Sequence, residues 1–225
     1  MSSAVRTRRS RPGRPRHVPA VDDTLSPRDQ ILDASARLFV GRGFANTSTR
    51  EIADAVGIRQ ASLYYHYAGK EEILGELLSR TVRPTLDQIE KIEDIAAESG
   101  WAAALYALVM IDSKTLVDAP HNSGLLAICP DVTSLEMFKP YRSTLRDLCA
   151  AYERFGRAVA SVPYVSGVRL EHEVSIVVRY RAEGDVVSVR DRHVIAAGVL
   201  RACGATREEI EIAAAVSWAE LLEDE

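Results

Sequence analysis

Cysteine is scarce in this chain. There are three, Cys129, Cys149 and Cys203, widely separated and in no Cys-x-x-Cys pairing. An odd, scattered set argues against a disulfide framework or a zinc module and fits a reducing cytoplasm, where we expect the protein to work. Aromatic residues make up only 6% of the chain, and alanine and leucine dominate a hydrophobic fraction of 47%. That balance favours packed helices over sheets. Long apolar runs are also missing. The longest, residues 101–111, is closed by Asp112 and falls short of the ~18 residues a membrane span requires. No apolar stretch near the N-terminus reads as a secretory signal. The histidines (His17, His66, His121, His172, His193) form no metal-ligand spacing. No His-Glu-x-x-His, Gly-x-Ser-x-Gly, Walker loop or dinucleotide fingerprint is present. We therefore expect no catalytic residue, no metal and no cofactor.

What is present is a charge asymmetry. The net charge is −4, yet residues 1–80 carry 13 Lys/Arg against 9 Asp/Glu, and residues 81–225 carry 15 against 23. A basic front and an acidic back predict that only the front meets a polyanion. Residues 1–20 hold six arginines, three prolines and no acid, the composition of a disordered arm. Its Pro12-Gly13-Arg14-Pro15-Arg16 segment resembles the centre of an AT-hook. Arg14 and Arg16 are candidates for a narrow minor groove.

The first helix has a clear start: Ser26 caps, Pro27 suits the first helical position, and Asp29 falls in the first turn. Gly41-Arg42-Gly43 ends it, and Phe44 is expected to drop back into a small core. Ser48-Thr49-Arg50-Glu51 is a capping box, and Gly57 supplies a turn before a second short helix with Leu63 inward. Two short helices across a glycine turn make a helix-turn-helix at about residues 48–67.

The run from Ser48 to Ile58, then Ala61-Ser62-Leu63-Tyr64-Tyr65-His66-Tyr67, then Gly69-Lys70-Glu71-Glu72-Ile73-Leu74, resembles the DNA-binding domain of the tetracycline-repressor (TetR) family. The resemblance covers about residues 28–76. It implies an all-α fold: a three-helix DNA-binding head and a helical ligand-binding and dimerisation body. We expect a basic arm over 1–24, the head over 25–72 and the body over 73–225. The resemblance implies a homodimeric, ligand-released repressor on a palindromic operator of double-stranded DNA. Arg59 and Gln60 are the expected base readers, since Arg forks onto guanine and Gln onto adenine. Ala61 and Ser62 let the helix approach. Tyr64, Tyr65, His66 and Lys70 are expected on phosphates, with Ser48, Thr49 and Arg50 on the opposite strand. Tyr67 is expected to pack. Two positions depart from the family pattern: Arg59 replaces a small capping residue, and Gly69 replaces a frequent Ser cap.

The body reads as further helices: residues 71–97 with a kink or break at Pro84, 101–117, structure from about 131 to 160, and a capped helix opening at Thr206. Residues 168–180 alternate apolar and polar like a strand, but Leu170, Val174 and Val177 also fit a helical face. We take helices over 170–182 and 189–203, the last helices forming the dimer contact. An apolar or aromatic inducer is implied by the resemblance, with Tyr106, Met110, Met137, Phe138, Tyr141, Arg142, Tyr152 and Trp218 as candidate contacts. A ligand-independent architectural DNA-binding protein and a regulator governed by a protein partner remain open alternatives.

Overall fold

The computed structural model describes the backbone of residues 25–222 and side chains through Ser217. Twelve α-helices are found among the described residues, with no strand. They are α1 Pro27–Arg42, α2 Thr49–Val56, α3 Gln60–His66, α4 Lys70–Ser79, α5 Arg83–Leu86, α6 Ile89–Ser99, α7 Trp101–Asp118, α8 Pro130–Thr133, α9 Lys139–Val159, α10 Gly167–Ala182, α11 Val189–Ala202 and α12 Arg207–Leu222. Tight 3-10 segments, Pro120–Ile128 and Glu136–Phe138, join α7 to α8 and α8 to α9. The expected long helix over 71–97, with its kink or break at Pro84, is three helices, interrupted just before Pro84 and again after Leu86. The chain breaks at Val82, where Thr81, Val82 and Thr85 all turn inward and Pro84 opens α5.

Local chemistry sets the head. Ser26 accepts from the Asp29 amide at 3.2 Å, and Ser48 and Glu51 close the reciprocal box at 3.2 and 2.9 Å. Gly57 ends α2 at φ 82°, ψ 20°, a left-handed position that glycine adopts without a Cβ penalty. Phe39, Phe44, Ile52, Leu63, Tyr67 and Leu74 fill one small core, which Leu126, Val132 and Phe138 extend from the body side.

The body is built around α7. Ala103 to Met110 are all buried, as in a helix surrounded on every side by partners. It packs against α5, α6, α9, α10, α11 and α12. α9 and α10 lie close because both carry glycine at the contact: a Cβ at Gly167 would sit 1.8 Å from the Cys149 carbonyl oxygen. The helical reading of 168–190 is the observed one, with Ser166 capping α10 and a Ser188–Asp191 box capping α11. The strand-like alternation has a simple origin. Leu170, Val174, Val177 and Val178 face the core, while Val168, His172, Ile176 and Tyr180 repeat every four residues on another side. Two apolar stripes interleaved on one helix produce an even spacing.

One polar knot lies inside this core. Asp112, 2% exposed, accepts from the Tyr152 hydroxyl at 2.8 Å and the Thr85 hydroxyl at 3.1 Å, and Thr85 also meets Thr115. Burial pushes the Asp112 carboxyl up to about 7, the nearby Glu171 adding to the rise, and burial lifts Glu171 to about 7 as well. The folded chain thus holds a proton on Asp112 that the unfolded chain, at 3.8, releases. The stabilisation from that proton is complete below the unfolded value and is lost as pH rises through about 7. The melting temperature of Asp112→Asn relative to the parent is therefore expected to improve from about pH 5 and to level off above about pH 7 in calorimetry. A difference that stays constant across that range would contradict a protonated Asp112.

Candidate nucleic-acid interface

α3 is anchored from beneath and open above. Leu63 is fully buried and Tyr67 is 1% exposed, with the Arg28 guanidinium 4.3 Å over the Tyr67 ring. Gln60, Ala61, Ser62, Tyr64 and Tyr65 all face solvent, Tyr64 half exposed and Tyr65 87% exposed. A helix that shows polar, small and aromatic side chains above a buried leucine has the form of a groove-reading helix. Arg59 sits at the N-cap of α3 with extended backbone and no side-chain cap bond, so its exposed guanidinium extends from the helix start. His66 is half-buried against Tyr65, ring centroids 5.3 Å apart, and its carbonyl accepts from Arg28.

The N-terminus of α2 stands beside α3. Gln60 Nε2 donates to Thr49 Oγ1 at 3.0 Å, and Thr49 Oγ1 lies 3.2 Å from the Tyr64 hydroxyl. Ser48 is occupied by its own cap, and Arg50 is exposed with no ion pair among the described residues. Between α2, α3 and the start of α4 lies an open concavity of about 510 Å³, walled by Asn46, Ser48, Thr49, Tyr64 and Lys70 among others. Lys70 is placed differently from a free phosphate ligand. Its Nζ donates to the Phe44 and Thr47 carbonyls, both at 2.9 Å, and approaches that of Ala45 at 3.5 Å. The ammonium caps the loop before α2 while keeping its charge at the rim of the concavity. Arg14 and Arg16 lie outside the described residues.

The seven ligand candidates with described side chains are not brought to one place. Tyr106, Met110 and Tyr152 are buried in the body core, the Tyr106 hydroxyl 2.5 Å from His193 Nδ1. Phe138 and Met137 pack against the head-side core, and Tyr141 touches both. Arg142 is exposed, its guanidinium 5.2 Å over the Phe138 ring, and bonds the Thr133 carbonyl. The Trp218 side chain lies outside the described ones. Sequence reasoning missed the Thr85–Asp112–Tyr152 knot. Its only local signal was Asp112 itself, an acid ending an apolar run inside a helix. Among the described residues no group of His, Cys, Asp or Glu could hold a metal ion, and no helix is long and apolar enough to cross a membrane.

Residues 31–77 match the family model described as bacterial regulatory proteins, tetR family. The HTH-type transcriptional repressor KstR2 of Rhodococcus jostii (strain RHA1) is 36% identical over 109 residues, 47% of this chain and 52% of that protein. The chain thus spans about half the length of that curated relative. The crystal structure of Mycobacterium smegmatis AmtR superposes with a TM-score of 0.78 at 35% identity, covering 88% of this chain and 96% of AmtR. AibR, solved in complex with isovaleryl coenzyme A and operator DNA, shares the fold at a TM-score of 0.59 and 18% identity, over 77% of this chain and 95% of its own. The likeness to AmtR runs through the helical body as well as the head, so the chain as a whole belongs to the tetR family of bacterial regulatory proteins.

Proposed function

We propose that this chain is a homodimeric transcriptional repressor that holds a palindromic operator and releases it on binding a small molecule. The observation that carries the DNA half is α3, with its polar face open to solvent above buried Leu63 and Tyr67. Arg59 and Gln60 read base edges, and Ala61 and Ser62 permit close approach. Tyr64, Tyr65 and His66 face phosphates, with Ser48, Thr49 and Arg50 on the facing strand and Arg14 and Arg16 adding a minor-groove contact. Lys70 acts on phosphate through its charge while its hydrogens keep the loop before α2 in shape. Residues 25–72 act as the reading head and 73–225 as the controlling body.

The dimer reading is supported by the outer stripe of α10. Val168 is 53% and Tyr180 38% exposed, and Val194 on the following helix is 62% exposed. Val174, Val177, Val178 and Leu200 are buried core instead. A single head makes few base contacts, and two related by a two-fold axis read half-sites one turn apart. That such a fold takes a small molecule draws support from AibR, whose complex holds isovaleryl coenzyme A together with operator DNA; the release step is our own proposal. Tyr152, whose hydroxyl donates to Asp112, and Tyr141, which packs against both cores, are the polar contacts we assign to such a ligand.

Arg59→Ala is expected to cost about 1–3 kcal/mol on the preferred operator and to relax one base position. Lys70→Ala is expected to weaken all sequences about equally and to lower the salt slope by roughly one. Site selection with a salt titration checks both; affinity loss without any change of base preference in Arg59→Ala contradicts the reader assignment. A ligand that dissociates the complex is expected to bind free protein more tightly than DNA-bound protein in calorimetry, and equal affinities contradict the release mechanism.

A further inference from the structure

Gln60, Thr49 and Tyr64 come from two helices, 11 and 15 residues apart in sequence, yet their polar ends meet in one chain of contacts. Gln60 Nε2 donates to Thr49 Oγ1 at 3.0 Å, and Thr49 Oγ1 stands 3.2 Å from Tyr64 Oη. A threonine hydroxyl has one proton and two lone pairs. We propose that Thr49 is a specificity-positioning residue: it fixes the Gln60 carboxamide in one orientation and couples that base reader to the phosphate-facing Tyr64. The proposal rests on the reading of Gln60 as a base reader.

The chemistry follows from which hydrogens remain. With one Nε2 hydrogen held by Thr49, Gln60 keeps one amide hydrogen and its Oε1, which accepts no bond among the described residues. A donor and an acceptor side by side match N7 and the N6 amino group of adenine in the major groove. An unrestrained glutamine turns its amide over and offers the two groups in reverse order. Thr49 holds the carboxamide in place in the free protein, and the second orientation is excluded once the Thr49 proton is committed to Tyr64. The same contact gives the chain a direction. A phosphate oxygen, which only accepts, takes the phenol proton of half-exposed Tyr64; Tyr64 Oη then accepts from Thr49, and Thr49 in turn accepts from Gln60. Successive donors in one direction strengthen one another. A correct base and a seated phosphate therefore reinforce each other through one hydroxyl.

The test is site selection from a randomised duplex library with the full chain as parent, Gln60→Ala, Thr49→Val and Thr49→Ser, with circular dichroism melts to verify folding. Gln60→Ala is expected to flatten one position of the half-site. Thr49→Val is expected to reduce preference at that same position by about fivefold or more, from the discrimination a bidentate amide supplies. Thr49→Ser, which keeps the hydroxyl, is expected to restore it. If Thr49→Val lowers affinity evenly and leaves the preference intact, Thr49 is only a phosphate contact and the proposal is overturned. If Gln60→Ala alters no position, the base-reader assignment fails and the proposal with it. Should Thr49→Val fold poorly, Thr49→Ala is judged by the same criteria.

Discussion

The guanidinium of Arg181, in the last turn of α10, donates to the carbonyls of Leu116 and Ala119 and reaches Asn122 Oδ1 at 3.4 Å. It thereby encloses the end of α7 and the start of the segment Pro120–Ile128. Within that segment His121 and Asn122 stand at φ 48° and 56°, two successive left-handed residues without glycine. Such a pair costs on the order of 1–3 kcal/mol per residue and persists only where neighbours over-determine it. The neighbours do so here. Asn122 Nδ2 donates to the Val178 carbonyl at 2.8 Å, and Gly124 lies so near Val178 that a Cβ would come within 2.8 Å. The other end of the same segment belongs to the head: His121 Nε2 meets Asp33 of α1 at 2.9 Å, and Leu126 enters the head core. The segment thus joins α10 to α1 through a few residues whose backbone is closely constrained.

Order within the head is maintained in the same manner, by side chains that satisfy backbone groups. Lys70 reaches back from α4 to the carbonyls of the loop before α2, and Ser48 with Glu51 fixes the entry of α2. Arg80 ties α4 to α1 through Asp29 at 2.9 Å. The head is thus held at the rim of the concavity by Lys70 and the Ser48–Glu51 box and from beneath by Arg80, while the polar face of α3 stays exposed.

Head and body were not equally legible in sequence. The capping box at Ser48–Glu51, the Gly57 turn and the inward Leu63 depend on neighbours within a few residues, so the linear pattern carries them. Tyr67 packing and Tyr64 exposure followed from the family resemblance, and the structure has Tyr67 buried and Tyr64 half exposed. The body depends on contacts with no local signal. Thr85 and Asp112 are 27 residues apart, and Arg181 and Leu116 are 65 apart. A kink or break at Pro84 was legible within residues 71–97, but the full division into three helices was not, because Thr81 and Thr85 read as ordinary helix residues until their buried partners are known. The strand-like pattern of 168–180 has a physical origin, since α10 carries one stripe for the core and another at the surface, and the helix preferred over it is the one observed. Pocket candidates chosen for size and polarity scattered between two cores, since size and polarity do not encode which interior a side chain enters.

Arrangement of two reading heads on one operator is the claim on which the regulatory reading stands. Footprinting of the full chain on its selected DNA measures it directly. A short, bounded, two-fold-symmetric protection with half-site centres about one helical turn, ~34–36 Å, apart is the result expected of paired heads. Protection that spreads along the duplex without a boundary as protein is added would contradict it and favour an architectural coating of DNA.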